Sequence, residues 1–116
     1  MILKLDLQNR LENLNYDVVG MSDNGYDAVE QIGKLSPDII LMDIVLKGEL
    51  NGIETAQIIN DKFKIPFIYM SAYYDDGILD NAAKTQPEGY ITKPYDDVLI
   101  RTTIEIALRK RKYKTE

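Results

Sequence analysis

Asp43, Ser71 and Lys93 are residues of three chemical types, and each stands directly after a short apolar run: 39–42 (Ile-Ile-Leu-Met), 67–70 (Phe-Ile-Tyr-Met) and 89–92 (Gly-Tyr-Ile-Thr). A carboxylate can attack phosphorus, a lysine can neutralise the anion that forms, and a hydroxyl can donate a hydrogen bond to a phosphoryl oxygen. Together they describe a phosphoryl-acceptor site. Such a transfer onto an anionic oxygen normally also needs Mg²⁺ held by carboxylates and water. With no cysteine and no histidine in the chain, carboxylates, hydroxyls and lysine are the groups left to do chemistry.

For three such residues to meet, the apolar runs must lie side by side with their carboxyl ends together, which is the geometry of an open parallel sheet. The intervening segments have helical spacing. Leu3, Leu7, Leu11 and Leu14 predict a helix over residues 2–14, and Ala28, Val29, Ile32 and Leu35 a second one stopped by Ser36-Pro37. Ile53, Ala56, Ile59 and Phe63 predict a third helix ending before Pro66. Asp75 or Asp76 can cap a fourth running to about Lys84, and Ile100, Thr103, Ile104, Ala107 and Leu108 mark the last. Residues 17–21 (Asp-Val-Val-Gly-Met) read as a further short strand, with a capping loop at 22–25. The order α-β-α-β-α-β-α-β-α implies a parallel sheet with right-handed crossovers and helices on both faces.

The 116 residues suit one compact domain, and 45% hydrophobic with 28% charged residues is ordinary for a globular protein. No apolar run approaches the roughly 18 residues of a membrane span, and charges interrupt the opening residues where a signal peptide is apolar, so a cytoplasmic location is expected. The net charge of −5 argues against nucleic acid as a partner. One basic cluster exists at Arg109, Lys110, Arg111, Lys112 and Lys114, where cations also complement a helix C-terminus.

Five segments resemble response-regulator receiver domains and stand in that family's order: 11–19, 37–43 (Pro-Asp-Ile-Ile-Leu-Met-Asp), 51–54 (Asn-Gly-Ile-Glu), 65–72 and 89–95 (Gly-Tyr-Ile-Thr-Lys-Pro-Tyr). The resemblance implies a two-component phosphorelay. Asp43 would take a phosphoryl group from a histidine kinase or phosphotransfer protein, Lys93 would pair with it, and Ser71 would bind a phosphoryl oxygen. Tyr90 matches the family's aromatic switch, the Lys93-Pro94 bond is implied to be cis, and the backbone carbonyl of Val45 would join Asp43 in a Mg²⁺ shell. The implied fold is the flavodoxin-like receiver fold.

The chain departs from the pattern at its start. The family's first strand, central in its sheet and ending in the acidic pair that holds Mg²⁺, has no counterpart, so four strands are expected in a single receiver domain spanning 1–116, N-terminally truncated relative to the family. Asp6 is the nearest upstream carboxylate but lies inside a helix. The lost strand could be covered by residues 17–21 sliding beside 39–42, or by a symmetric homodimer or segment exchange that covers the exposed edges and the apolar helix face. Lys47-Gly48 replaces a common proline after Asp43.

Two readings of function stand. In one, the domain is phosphorylated at Asp43 and acts through a binding partner without an output domain of its own. In the other, it is a degenerate receiver that binds a partner without phosphorylation. An enzyme is not expected, since an aspartate-nucleophile phosphohydrolase wants a second aspartate where Val45 stands. Taken singly, Asp43 is a strand-end acid, Tyr90 a packing residue, and Asp96 and Asp97 the start of a helix.

Overall fold

The computed structural model describes residues 5–45, 48–72 and 75–114, with the backbone alone for 5, 6 and 114. Residues 1–4 of the expected first helix, the Asp6 carboxylate and Lys47 lie outside that description. The elements are α1 Leu5–Asn13, α2 Gly25–Leu35, β1 Ile40–Met42, α3 Gly52–Lys62, β2 Phe67–Ser71, α4 Asp76–Lys84, β3 Gly89–Thr92 and α5 Asp97–Lys114.

The strands form a parallel sheet in the order β1-β2-β3, with Ile40 opposite Phe67 and Ile68 opposite Gly89. Side chains alternate between its faces, as a two-residue period requires. Ile39, Leu41, Ile68, Met70 and Ile91 pack with Leu7 and Leu11 of α1 and Ile100, Ile104 and Ala107 of α5. Ile40, Met42, Ile44, Phe67 and Tyr69 pack with residues of α2, α3 and α4 on the other side. The unbroken apolar runs are thus strands buried on both faces.

Helix boundaries follow their caps. Asn24 accepts from the N–H groups of Tyr26 and Asp27, and Asn51 and Glu54 close a reciprocal capping box. Asp75 accepts from Ile78 N–H, and Asp96 from Leu99 N–H. First turns carry acids (Asp27, Glu54, Asp76, Asp97) and last turns carry bases (Arg10, Lys34, Lys62, Lys84), matching the helix dipoles.

One expected strand is corrected. Residues 17–21 are not a strand, and the sheet of the described residues has three strands rather than four. Exposure does alternate along the segment, and Val18 and Met21 pack against the α1–α5 layer. However, no backbone hydrogen bond joins it to β1 among the described residues. The Met21 carbonyl is taken instead by the Gln31 side chain of α2. Alternation is a local property, whereas a strand needs a ladder partner. Ile40, Leu41 and Met42 are nevertheless 0%, 1% and 0% exposed. Their burial is complete within one chain, so the edge gives no reason to require a second copy.

A long-range polar contact fastens the segment after α1 to α5. Tyr16 donates to Glu105 Oε2 at 2.5 Å, a short bond of the charge-assisted kind. Burial first, and then the Glu105 carboxylate, push the Tyr16 hydroxyl from 10.0 up to about 12. The neutral phenol is favoured in the folded chain, so its contribution is fully present below pH 10 and is lost as pH rises through about 12. Alkaline titration followed by circular dichroism should show stability falling across that window, and Tyr16→Phe should flatten the fall.

Candidate phosphoacceptor site

Asp43 follows the last residue of β1, Ser71 ends β2, and Lys93 follows β3. Because the three strands are parallel neighbours, their carboxyl ends lie at one edge of the sheet. Lys93 Nζ is 3.3 Å from Asp43 Oδ2, across 50 residues of sequence. The pair is partly buried, with side-chain exposures of 30% and 20%. The second carboxylate oxygen, Oδ1, accepts from Val45 N–H at 3.1 Å. Both oxygens of the acid are therefore oriented.

The backbone around this edge is held closely. Lys93 N–H donates to Ser71 O at 3.1 Å, continuing the β2–β3 ladder past the strand ends. The Lys93-Pro94 peptide bond is cis. On the other side, Gly52 N–H donates to Ile44 O at 2.7 Å, drawing the first turn of α3 against the loop after Asp43. A Cβ at Gly52 would lie 2.2 Å from the Asp43 carbonyl oxygen, so glycine is what allows that approach.

Ser71 is fully buried, and its side chain lies close enough to the Tyr90 hydroxyl to influence it. The Tyr90 phenol is pushed up mainly by burial, with Asp43 and Asp75 adding to the rise and the Ser71 side chain opposing it. Tyr90 thus turns its hydroxyl toward the end of β2, within the electrostatic reach of Asp43. The ammonium of Lys93 meets the acid directly, while the side chain of Ser71 lies by Tyr90.

The Mg²⁺ expectation finds little in the described side chains. No group of three or more His, Cys, Asp or Glu residues is placed to hold a metal there. Asp43 and the Val45 backbone carbonyl would supply two of the six oxygens that octahedral Mg²⁺ takes, leaving the others to water, of which this ion usually keeps several.

The family model described as "Response regulator receiver domain" matches residues 2–105. The chain belongs to this family. A solved receiver domain of a modulated diguanylate cyclase from Desulfovibrio desulfuricans G20, described as an example of alternate folding, superposes with a TM-score of 0.89. It shares 38% identity over 94% of this chain and 86% of that one. Among curated relatives, the transcriptional regulatory protein YdfI of Bacillus subtilis is 31% identical over 97 residues, covering 84% of this chain and 45% of its own length. PdtaR of Mycobacterium tuberculosis is 26% identical over 94% of this chain and 53% of its own length. The chain therefore spans about half the length of these two regulators. The chemotaxis protein CheY of Listeria monocytogenes is matched over 92% of its length at 27% identity.

The receiver domain also contains contacts that the strand-end reading missed. Arg10 of α1 donates to the Tyr95 carbonyl at 2.8 Å, lies 5.5 Å from the centre of the Tyr95 ring and pairs with Asp97 at 3.7 Å. It braces the loop that follows Lys93 and Pro94. Nothing local in the sequence signals a contact across 85 residues. Gly52 was legible only as part of the 51–54 segment that resembles the family.

Proposed function

We propose that this receiver domain accepts a phosphoryl group on Asp43 from a histidine of a kinase or phosphotransfer protein, and passes the signal on by binding a partner in the cytoplasm. The observation that carries the reading is the 3.3 Å contact between Lys93 Nζ and Asp43 Oδ2. A cation so close to the carboxylate would also lie near the anionic oxygens of a phosphoryl group carried there. In the transfer, a carboxylate oxygen of Asp43 attacks phosphorus, the P–N bond to the donor imidazole breaks, and an acyl phosphate forms. The leaving nitrogen takes a proton from water or keeps the one its ring already holds. An ionised carboxylate needs no general base, which suits a chain without histidine. Lys93 offsets the charge gathering on the phosphoryl oxygens, and Ser71 can donate its hydroxyl to one of them.

The second reading, a receiver that binds its partner without phosphorylation, is favoured by one observation: the described residues include no group of three or more His, Cys, Asp or Glu placed to hold a metal. Acetyl phosphate with graded Mg²⁺, followed by intact-mass measurement, separates the two. Gain of one phosphoryl group that hydroxylamine removes is the expected result. An unmodified protein at every Mg²⁺ concentration would establish the binding-only reading.

A further inference from the structure

A tyrosine at the centre of a buried strand is unusual enough to need a reason, because a hydroxyl taken out of water costs free energy unless it finds a partner. Tyr69 of β2 is 0% exposed. Its hydroxyl lies 2.7 Å from Thr85 Oγ1. Thr85 is the C-cap of α4, and its own hydroxyl proton goes to the Ala82 carbonyl at 2.6 Å. A hydroxyl has one proton to give, so Tyr69 is the donor to Thr85. The Thr85 carbonyl in turn accepts from Asn60 Nδ2 of α3 at 2.5 Å. The ring is thus tethered at its far end to the point where α3 and α4 meet.

The body of the same ring is held by Phe67, whose centroid is 5.3 Å away at 76°. Tyr90 leans on it from β3, with ring centroids 5.9 Å apart at 51°. The β2–β3 register places Tyr69 directly opposite Tyr90. Tyr90 is only half-buried, so much of what orients it must come from this one fixed neighbour and from Ser71.

We propose that Tyr69 is a positioning residue of the phosphoacceptor pocket: tethered to Thr85, its ring holds Tyr90 with the hydroxyl beside Ser71. Its place in signalling rests on the reading of Asp43 given above, but the contact itself does not. If Ser71 turns toward a phosphoryl group, its approach to Tyr90 changes, and the end of α4 feels the change through a ring that cannot itself shift freely.

The test needs no phosphodonor. The side-chain rotamer of Tyr90 is measured by NMR three-bond couplings in the wild type, Tyr69→Phe, Thr85→Val and Tyr69→Leu. A single Tyr90 rotamer is expected in the wild type, with a second rotamer populated in Tyr69→Phe and Thr85→Val and full averaging in Tyr69→Leu. An unchanged single rotamer in both Tyr69→Phe and Thr85→Val overturns the proposal, including where Tyr69→Leu alone averages or fails to fold. Asp43→Asn serves as the separating control, since it removes phosphoryl loading but should leave the Tyr90 rotamer as in the wild type. Loading that fails in the wild type, or persists in Asp43→Asn, then counts against Asp43 as acceptor, while the rotamers decide the role of Tyr69.

Discussion

Asp43→Ala should lose phosphoryl loading from acetyl phosphate entirely, and Lys93→Ala should slow it by about 10²–10³-fold, the usual cost of removing one preorganised charge-stabilising group. The two effects differ in kind. Without Asp43 there is no oxygen to form the acyl phosphate, whereas without Lys93 the nucleophile remains and only the neutralising cation is gone. The geometry makes the second effect specific to charge: Nζ touches Oδ2, and Oδ1 keeps its bond from Val45 N–H. Lys93→Arg should recover part of the rate, and Lys93→Gln little of it. Initial rates from intact-mass time courses check all four variants, and loading that persists in Asp43→Ala would place the acceptor elsewhere.

Gly52→Ala should destabilise the domain by about 3 kcal/mol, at the upper end of what overpacking costs. The added methyl would meet backbone on both counts, at 2.2 Å from Asp43 O and 2.7 Å from Ile44 Cα, and backbone has no rotamer in which to yield. The helix would gain up to about 1 kcal/mol from alanine's better propensity, too little to reverse the sign. Gly33 provides the contrast within the same protein. A Cβ there meets the Phe63 ring at 3.4 Å, an ordinary contact, in the interior of α2. Gly33→Ala should therefore be neutral or stabilising by up to about 1 kcal/mol. Urea unfolding of the two variants measures both, and Gly52→Ala should also slow phosphoryl loading because it pushes on the carbonyl of the acceptor itself.

The parts of this site that could be read from sequence are those set by short-range pattern and topology. Unbroken apolar runs marked β1 and β2, parallel order followed from the helices between them, and the residues at the strand ends were then bound to be neighbours. The capping loop at 22–25 and the cap at Asp75 or Asp76 were legible because a cap is a matter of three or four residues, whereas the Asn51 cap was not singled out. Residues 17–21 were misread for the complementary reason: their alternation suits a strand, but pairing depends on what lies beside them. The approach of Ser71 to Tyr90 and the tether from Tyr69 to Thr85 were equally out of reach. A tyrosine in an apolar run reads as packing, and only the fold shows that its hydroxyl has somewhere to go. Arg10 on Tyr95 and Tyr16 on Glu105 cross 85 and 89 residues, distances over which spacing carries no signal.

The acids of the first turns and the bases of the last turns have an effect beyond the helices they cap. Since α3, α4 and α5 each begin where a strand ends, Glu54, Asp76 and Asp97 gather at the pole that holds Asp43, and Lys62 and Lys84 fall toward the opposite one. The domain is electrically lopsided. A small anionic phosphodonor drifting toward the acceptor climbs a repulsive gradient that dissolved salt flattens, whereas a protein donor presenting cations around its histidine runs downhill. The same lopsidedness would rank donors by charge before any of them touches the aspartate.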